Sequence, residues 1–284
     1  MRNKMSAFIL KSWLLSFCFV CIMTGTTLAQ DGWDFSVGAG VYSENVYTGS
    51  DDLYVAPGLL VQVGYSLGDF GFSLNLHEGP SMVYTNKETG IQGKLEVSFD
   101  QERDSQSYSV FGRDEDHSDT TKRLLQDTPT VATEVAPKLS AELPTSLGMW
   151  GVSVAYHSTS VDYPIAGQMD KDYAGWLYSL SYAKAFPVSE TLSFAAQVEL
   201  TYMNQAYSQA WFSVEYPTPA LSTFDADAGF RDVTVGLQGT KMFTGHTGLS
   251  LLLAGSYLLE DAADSPYTVE EFQPAAMLYA FYMF

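Results

Sequence analysis

The sequence predicts an all-β fold: a transmembrane antiparallel β-barrel of the bacterial outer membrane with about twelve strands. Three observations carry this. Many segments alternate apolar and polar residues with period two. After residue 29 no apolar run is long enough for a spanning helix, which wants about 20 residues. Short connections between the alternating segments are interleaved with long ones. In lipid every backbone polar group must be satisfied within the protein, so a sheet that crosses must close on itself.

The N-terminal segment is set apart from that fold. Arg2, Lys4 and Lys11 precede and enter an apolar run, Trp13 to Met23, and Thr27 and Ala29 supply small residues at a cleavage site. This reads as a secretory signal peptide over residues 1–29, cut after Ala29 and leaving 30–284 as the barrel domain. The sequence has two cysteines, Cys18 and Cys21, and both fall inside the signal. The remainder can therefore hold no disulfide, thiolate metal site or cysteine nucleophile. The formal charge is −19, and it becomes more negative without the three basic residues of the signal. That balance excludes nucleic-acid binding through phosphates.

The strands follow in order. From Trp33 one face reads Trp33, Phe35, Val37, Ala39, Val41, and the other Asp34, Ser36, Gly38, Gly40, Tyr42. From Leu53 the apolar face runs Leu53, Val55, Pro57, Leu59, Val61, Val63, Tyr65. Ile91, Gly93, Leu95, Val97 and Phe99 oppose Gln92, Lys94, Glu96 and Ser98, while Val131, Val135 and Leu139 oppose Glu134, Lys138 and Glu142. From Leu192, Phe194, Ala196, Val198, Leu200 and Tyr202 share the apolar face, with Gln197, Glu199 and Thr201 opposite. Val233, Val235 and Leu237 alternate with Asp232, Thr234 and Gln238. Trp33, Tyr65, Trp150, Trp176, Tyr202 and Tyr257 gather near strand ends, as interfacial girdles require.

The short connections are Ser66–Asp69, Asn86–Gly90, Pro144–Leu147, Pro187–Glu190 and Thr244–Thr247. The long ones are Glu44–Asp52, Asp100–Asp127, Ser158–Asp172, Gln205–Ala228 and Glu260–Gln273. If all short turns lie on one side, an even number of strands separates them. The stretch Phe70–Tyr84 obeys only if His77–Pro80 is a tight outer turn, which gives twelve strands. One bent strand there gives ten. In the last segment Ala276, Leu278, Ala280, Tyr282 and Phe284 share a lipid-facing register. An aromatic end on that face is how barrels are handed to their insertion machinery, so Tyr282 and Phe284 are the expected assembly signal.

Little in the sequence points to chemistry. His117 and His246 fall in polar connections, and His77 and His157 fall on the lumenal register. A serine nucleophile needs an adjacent base. Ser158 follows His157 on a strand, so the two point to opposite faces, and Thr159 stands where a serine would be needed. No enzyme and no cofactor are expected. Lys94, Glu96, Glu134, Lys138, Glu142 and Glu199 either line an aqueous channel or fill the lumen with paired charges; mutual pairing is the expected arrangement. The outer loops are acidic, with Asp225 and Asp227 in "FDADAG", but none holds a complete Ca²⁺ ligand pattern.

Several stretches resemble the MipA/OmpV family of MltA-interacting outer-membrane proteins. They are "YTGSDD" with Tyr47, Gly49 and Ser50, "FGRDED" with Gly112 and Arg113, "DADAGFRDVTVGL", "LLEDAADSPYT" with Asp261, Asp264, Ser265 and Pro266, and the terminal "YMF". Tyr267 departs from the pattern, where an aliphatic residue is usual, and so does "WFSV" at Trp211–Val214. The resemblance implies a non-enzymatic barrel with a structural or interaction role in the envelope. Its implied partners are outer-membrane lipid, the insertion machinery, and a murein hydrolase and murein synthase that the barrel would scaffold. A small-solute channel is the alternative, and a lipid-acting enzyme a more distant one.

Overall fold

A computed structural model of the chain describes residues 31–45, 47–76, 79–99, 124, 128–131, 135–163 and 170–284. The expected signal peptide, His77, Gly112, Arg113, His117 and Glu134 lie outside the described residues.

The alternating segments fold as strands because each offers one apolar face and one lumenal face. They are β1 (Gly32–Asn45), β2 (Leu53–Leu67), β3 (Phe70–Asn75), β4 (Gly79–Thr85), β5 (Gln92–Phe99), β6 (Thr130–Val131) and β7 (Val135–Pro144). Then come β8 (Met149–Asp162), β9 (Lys171–Ser189), β10 (Leu192–Met203), β11 (Gly229–Met242), β12 (Thr247–Leu258) and β13 (Phe272–Met283). Two helices sit in long connections: α1 (Gln205–Phe212) before β11 and α2 (Glu260–Asp264) before β13. All pairings between strands are antiparallel, and β13 returns to pair with β1. β6 is a two-residue piece beside the far end of β8, at Thr130↔Asp162 and Val131↔Val161. The other twelve strands form the closed barrel. Asn75 lies opposite Gly79, so Phe70–Tyr84 is a hairpin of two short strands rather than one bent strand.

The register separates the two faces. Outward residues form an exposed apolar belt that includes Val37, Leu59, Leu139, Val152, Leu180, Val198, Leu237, Leu251 and Leu278. A continuous apolar surface of this size is not left to water. Aromatic pairs border it. Trp33–Tyr65 and Trp150–Tyr182, each with centroids 4.9 Å apart, lie toward the short turns. Tyr156–Trp176 at 4.9 Å and Tyr202–Phe230 at 5.6 Å lie toward the long loops. Both described chain ends meet at the short-turn side, where Phe284 N–H donates to Phe35 O at 3.0 Å.

Two expectations are corrected. Val131 does not continue the outward face with Leu139: it is fully buried beside Val161, in a cluster with Met203, Trp211 and Phe212. The strand is offset between β6 and β7, so period two cannot be carried across. The connection Gln205–Ala228 lies between β10 and β11 as expected, with α1 in its first third. The connection after β8 is also shorter than expected, because β8 runs on through Ser158 to Asp162.

Candidate functional site

The long-loop end of the barrel carries a folded cap, and the cap is built largely from the motif segments. Tyr47 and Ser50 are buried, and Ser50 N–H donates to Tyr47 O at 3.0 Å. Gly49 adopts φ +99°, a left-handed conformation, and a Cβ there would lie 2.9 Å from Thr268 Cα. That close approach joins the first loop to the last. Val269 N–H and Glu270 N–H donate to Gly49 O at 2.7 and 3.0 Å. Gly49 N–H donates to Gln273 Oε1 at 3.0 Å, and Asn45 Nδ2 donates to Ser50 O at 2.6 Å.

The last loop is locked in turn to the helical one. Ser265 Oγ donates to Phe212 O at 2.7 Å, and Asp261 Oδ2 accepts from Asp227 N–H at 2.6 Å. Glu260 is the only non-glycine residue with positive φ among the described residues, at 47°, and its Oε2 accepts from Phe230 N–H at 2.8 Å. The strained backbone aims that carboxylate at the start of β11. Asp264 is exposed and Pro266 half-buried. Tyr267, where the family pattern is aliphatic, is buried with Leu124, Val214 and Leu221.

Helix α1 is fixed against the barrel wall at several points. Asn204 caps it, accepting from Tyr207 N–H at 3.1 Å and from Trp176 N–H of β9 at 2.8 Å. Gly175 allows the close approach, since a Cβ there would lie 2.7 Å from Tyr207 Cα. Tyr207 meets the ring of His157 edge-on at 5.1 Å and stacks on Trp211 at 5.9 Å. Its hydroxyl accepts from Arg231 Nη1 at 3.3 Å. Arg231 is the extra residue where the β10–β11 register shifts, and its guanidinium also pairs with Asp232. On the outer rim Lys171 pairs with Glu215, and the Tyr163 hydroxyl donates to Glu215 Oε2 at 3.2 Å. Burial first, then the facing Tyr173 and Glu215, push the Tyr163 phenol well above its ordinary range, so it remains a donor.

Below the cap the lumen holds charged side chains in mutual contact. Glu96 pairs with Lys94 and, at 2.9 Å, with Lys138. Glu142 shares their face, opposite Gln92 on β5 and Gly151 on β8. Glu199 faces inward as expected. A second, apolar sector of the lumen packs Leu60, Tyr279 and Phe281 against Met242, Met277 and Met283. His157 is buried in the lumen, Ser158 is exposed on the other face, and His246 sits in a short turn with Nδ1 2.9 Å from Met283 O. Tyr282 and Phe284 both point outward, with rings 4.7 Å apart. Among the described residues no group of three or more His, Cys, Asp or Glu side chains could hold a metal ion, and no helix is long and apolar enough to cross a membrane.

The structure thus brings Tyr47, Gly49, Ser50, Asp261 and Ser265 into one cap. Reasoning from sequence missed Asn45, Asn204, Glu260 and Gln273, which hold that cap together. Only Asn204 carried a local signal, an asparagine just before a helix, and no helix was expected there. The cap yields a prediction. Gly49→Ala forces a Cβ into Thr268 and into a disfavoured φ, at a cost of about 1 kcal/mol or more. Limited proteolysis of the intact protein should cut the first and last loops faster, while the barrel keeps its compact migration on gels. An unchanged cleavage pattern would show that the first loop does not brace the cap.

A family model described as MltA-interacting protein MipA matches residues 37–284. Comparison with curated proteins gave no match. Among solved structures, an outer-membrane channel from Pseudomonas putida F1 is similar at 12% identity, covering 90% of this chain and 97% of its own, with a TM-score of 0.43. The toluene transporter TbuX of Ralstonia pickettii follows at 11% identity, 90% of each chain and a TM-score of 0.39. The translocator domain of the autotransporter NalP from Neisseria meningitidis shares 9% identity, over 93% and 92% of the two chains, with a TM-score of 0.44.

Proposed function

The chain belongs to the MltA-interacting protein MipA family, and from that premise we propose that this outer-membrane barrel is a non-enzymatic interaction protein of the envelope. It holds a murein hydrolase of the MltA type, with a murein synthase as further partner, at its periplasmic end. The observation that carries the reading is the stopper. A hydrogen-bonded cap ties the first, helical and last outer loops together, and Lys94, Glu96 and Lys138 engage one another in the lumen below. Braced outer loops and paired lumenal charges suit a barrel that presents its ends more than one that conducts solute.

The periplasmic end offers short turns only, so a partner must read their tips. Leu147, Val188 and Phe243 are exposed apolar side chains there. The test is binding of a purified MltA-type lytic transglycosylase to the folded barrel in detergent. Leu147→Glu should weaken it by about tenfold, the loss of one apolar contact worth ~1.5 kcal/mol. No binding by the wild-type barrel removes the reading.

The solute-channel reading draws on the same lumenal charges, which are also what an aqueous path would need. Planar-bilayer recording separates the two: a stoppered barrel gives no steady open-channel steps. The hydrolase reading is tested by lipid hydrolysis with the wild type and His157→Ala. Tyr282 and Phe284 are proposed as the signal for the insertion machinery. A charged tail added after Phe284 should then leave protein unassembled in the periplasm, and normal assembly of that variant would argue against it.

A further inference from the structure

The lumenal wall made by β9, β10 and β11 holds a carboxylate, Glu199, that Lys138 and Arg231 attract without pairing with it directly. Glu199 lies opposite Ser181 on β9 and Thr234 on β11. Two residues nearer the cap, Thr201 lies opposite Ser179 and Asp232. Because directly paired residues share a face, these six side chains form one patch of oxygen atoms on the lumenal side. Thr201 Oγ1 donates to Glu199 Oε1 at 3.4 Å, and Thr234 Oγ1 donates to Asp232 Oδ1 at 3.2 Å. Ser179 Oγ and Thr201 Oγ1 are 3.5 Å apart.

The second carboxylate oxygen, Glu199 Oε2, is shut off from solvent and has no hydrogen-bond partner among the described residues. The basic groups that attract it make their direct contacts elsewhere. Lys138 and Lys94 both bind Glu96, and Arg231 binds Asp232 and the Tyr207 hydroxyl. A buried carboxylate left without a counter-charge is strongly disfavoured. The missing charge is single, since Arg231 already balances Asp232. The donor set is oxygen alone, carboxylate and hydroxyl, which suits a hard cation and offers nothing to a soft one. Two carboxylates, one of them already neutralised, are too few for a tightly held divalent ion.

We propose that the Glu199 patch, with Thr201, Ser179, Ser181 and Thr234, is a binding site for one small alkali-metal cation inside the lumen. The ion supplies the direct partner that Glu199 Oε2 lacks and draws β9, β10 and β11 together directly beneath the Arg231–Tyr207 contact of the cap. The inference concerns the lumen and stands whether or not a murein enzyme binds the periplasmic end.

The test uses the folded full-length barrel in detergent micelles at pH 7.5 and constant ionic strength. Choline chloride is replaced stepwise by sodium or potassium chloride, and the rate of loss of the compact gel band is followed at one elevated temperature. Binding to the folded state alone slows unfolding as the cation saturates its site. Wild type should unfold about tenfold more slowly in at least one alkali salt than in choline. Glu199→Gln should unfold at the same rate in every salt, and Thr201→Val should need a higher salt concentration for the same effect. Equal wild-type rates in choline and alkali salts would overturn the proposal and leave a proton or a water as the partner of Oε2. A cation effect that survives in Glu199→Gln would overturn it too, by placing the ion elsewhere.

Discussion

Val198→Arg should prevent stable insertion of the barrel, whereas Leu200→Arg two residues along should impair it less. Both side chains leave β10 on the outward face, between Phe194 near the short turns and Tyr202 near the long loops. Along β10 Val198 is midway between Phe194 and Tyr202, beside Val235 on β11, while its β9 neighbour Tyr182 reaches back to the short-turn border through its hydroxyl on Leu147 O. Leu200 is the last residue before Tyr202 on that face. An arginine on the lipid face costs about 2–4 kcal/mol at the midplane and falls to about 0–1 kcal/mol near the interface. Near Tyr202 the guanidinium can also reach headgroups by extending its stem. The measurement is the fraction of each variant recovered in the outer membrane as a heat-modifiable band. Equal recovery of the two variants would mean that the aromatic bands do not mark the edges of the hydrocarbon region.

The barrel was legible because alternation is a local signal. In β1, β2, β10 and β11 each outward residue can be read from its neighbours two positions away, without knowledge of the partner strand. The hairpin Phe70–Tyr84 was legible by parity alone, from where the short turns had to lie. The cap was not legible as an object. The resemblance marked "YTGS" and "DSP" as special, but their meeting joins Gly49 to Gln273, 224 residues apart, and no period or turn rule spans that distance. Helix α1 is eight residues long, too short to be stable alone. It persists because Asn204 and Gly175 hold it to β9, and those are tertiary facts. Val131 misled for a related reason: β6 pairs with β8 one residue out of step with β7, so alternation does not carry from one piece to the other. The pairing of Arg231 with Asp232 likewise depends on the β10–β11 bulge, because adjacent residues on a regular strand would face apart.

Gly40→Val should stop the barrel from closing, while the same change at Gly71 or Gly93 should be tolerated. All three glycines lie in strands, and Val is ordinarily the better strand residue. What differs is the space. Gly40 pairs with Tyr279 across the β1–β13 seam, and a Cβ there would lie 2.7 Å from Tyr279 Cα and overlap the Leu278 carbonyl. Two positions along, a Cβ on Gly38 would lie 2.8 Å from Ala280 O. These obstacles are backbone atoms of the partner strand, which no rotamer change can move. At Gly71 and Gly93 a Cβ meets nothing within 4 Å. Overpacking of a core position costs about 1–3 kcal/mol when side chains can give, and at Gly40 they cannot, so the penalty should reach or exceed that range. The seam is also the only pairing that joins the first strand to the last, so losing it exposes the edges of both in lipid. The check is refolding of the three variants from urea into detergent, read as the yield of compact, heat-modifiable barrel. Near wild-type yield is expected for Gly71→Val and Gly93→Val, and little or none for Gly40→Val. A Gly40→Val barrel that refolds as well as the other two would show that the β1 and β13 backbones do not approach as closely at the seam as the glycine there implies.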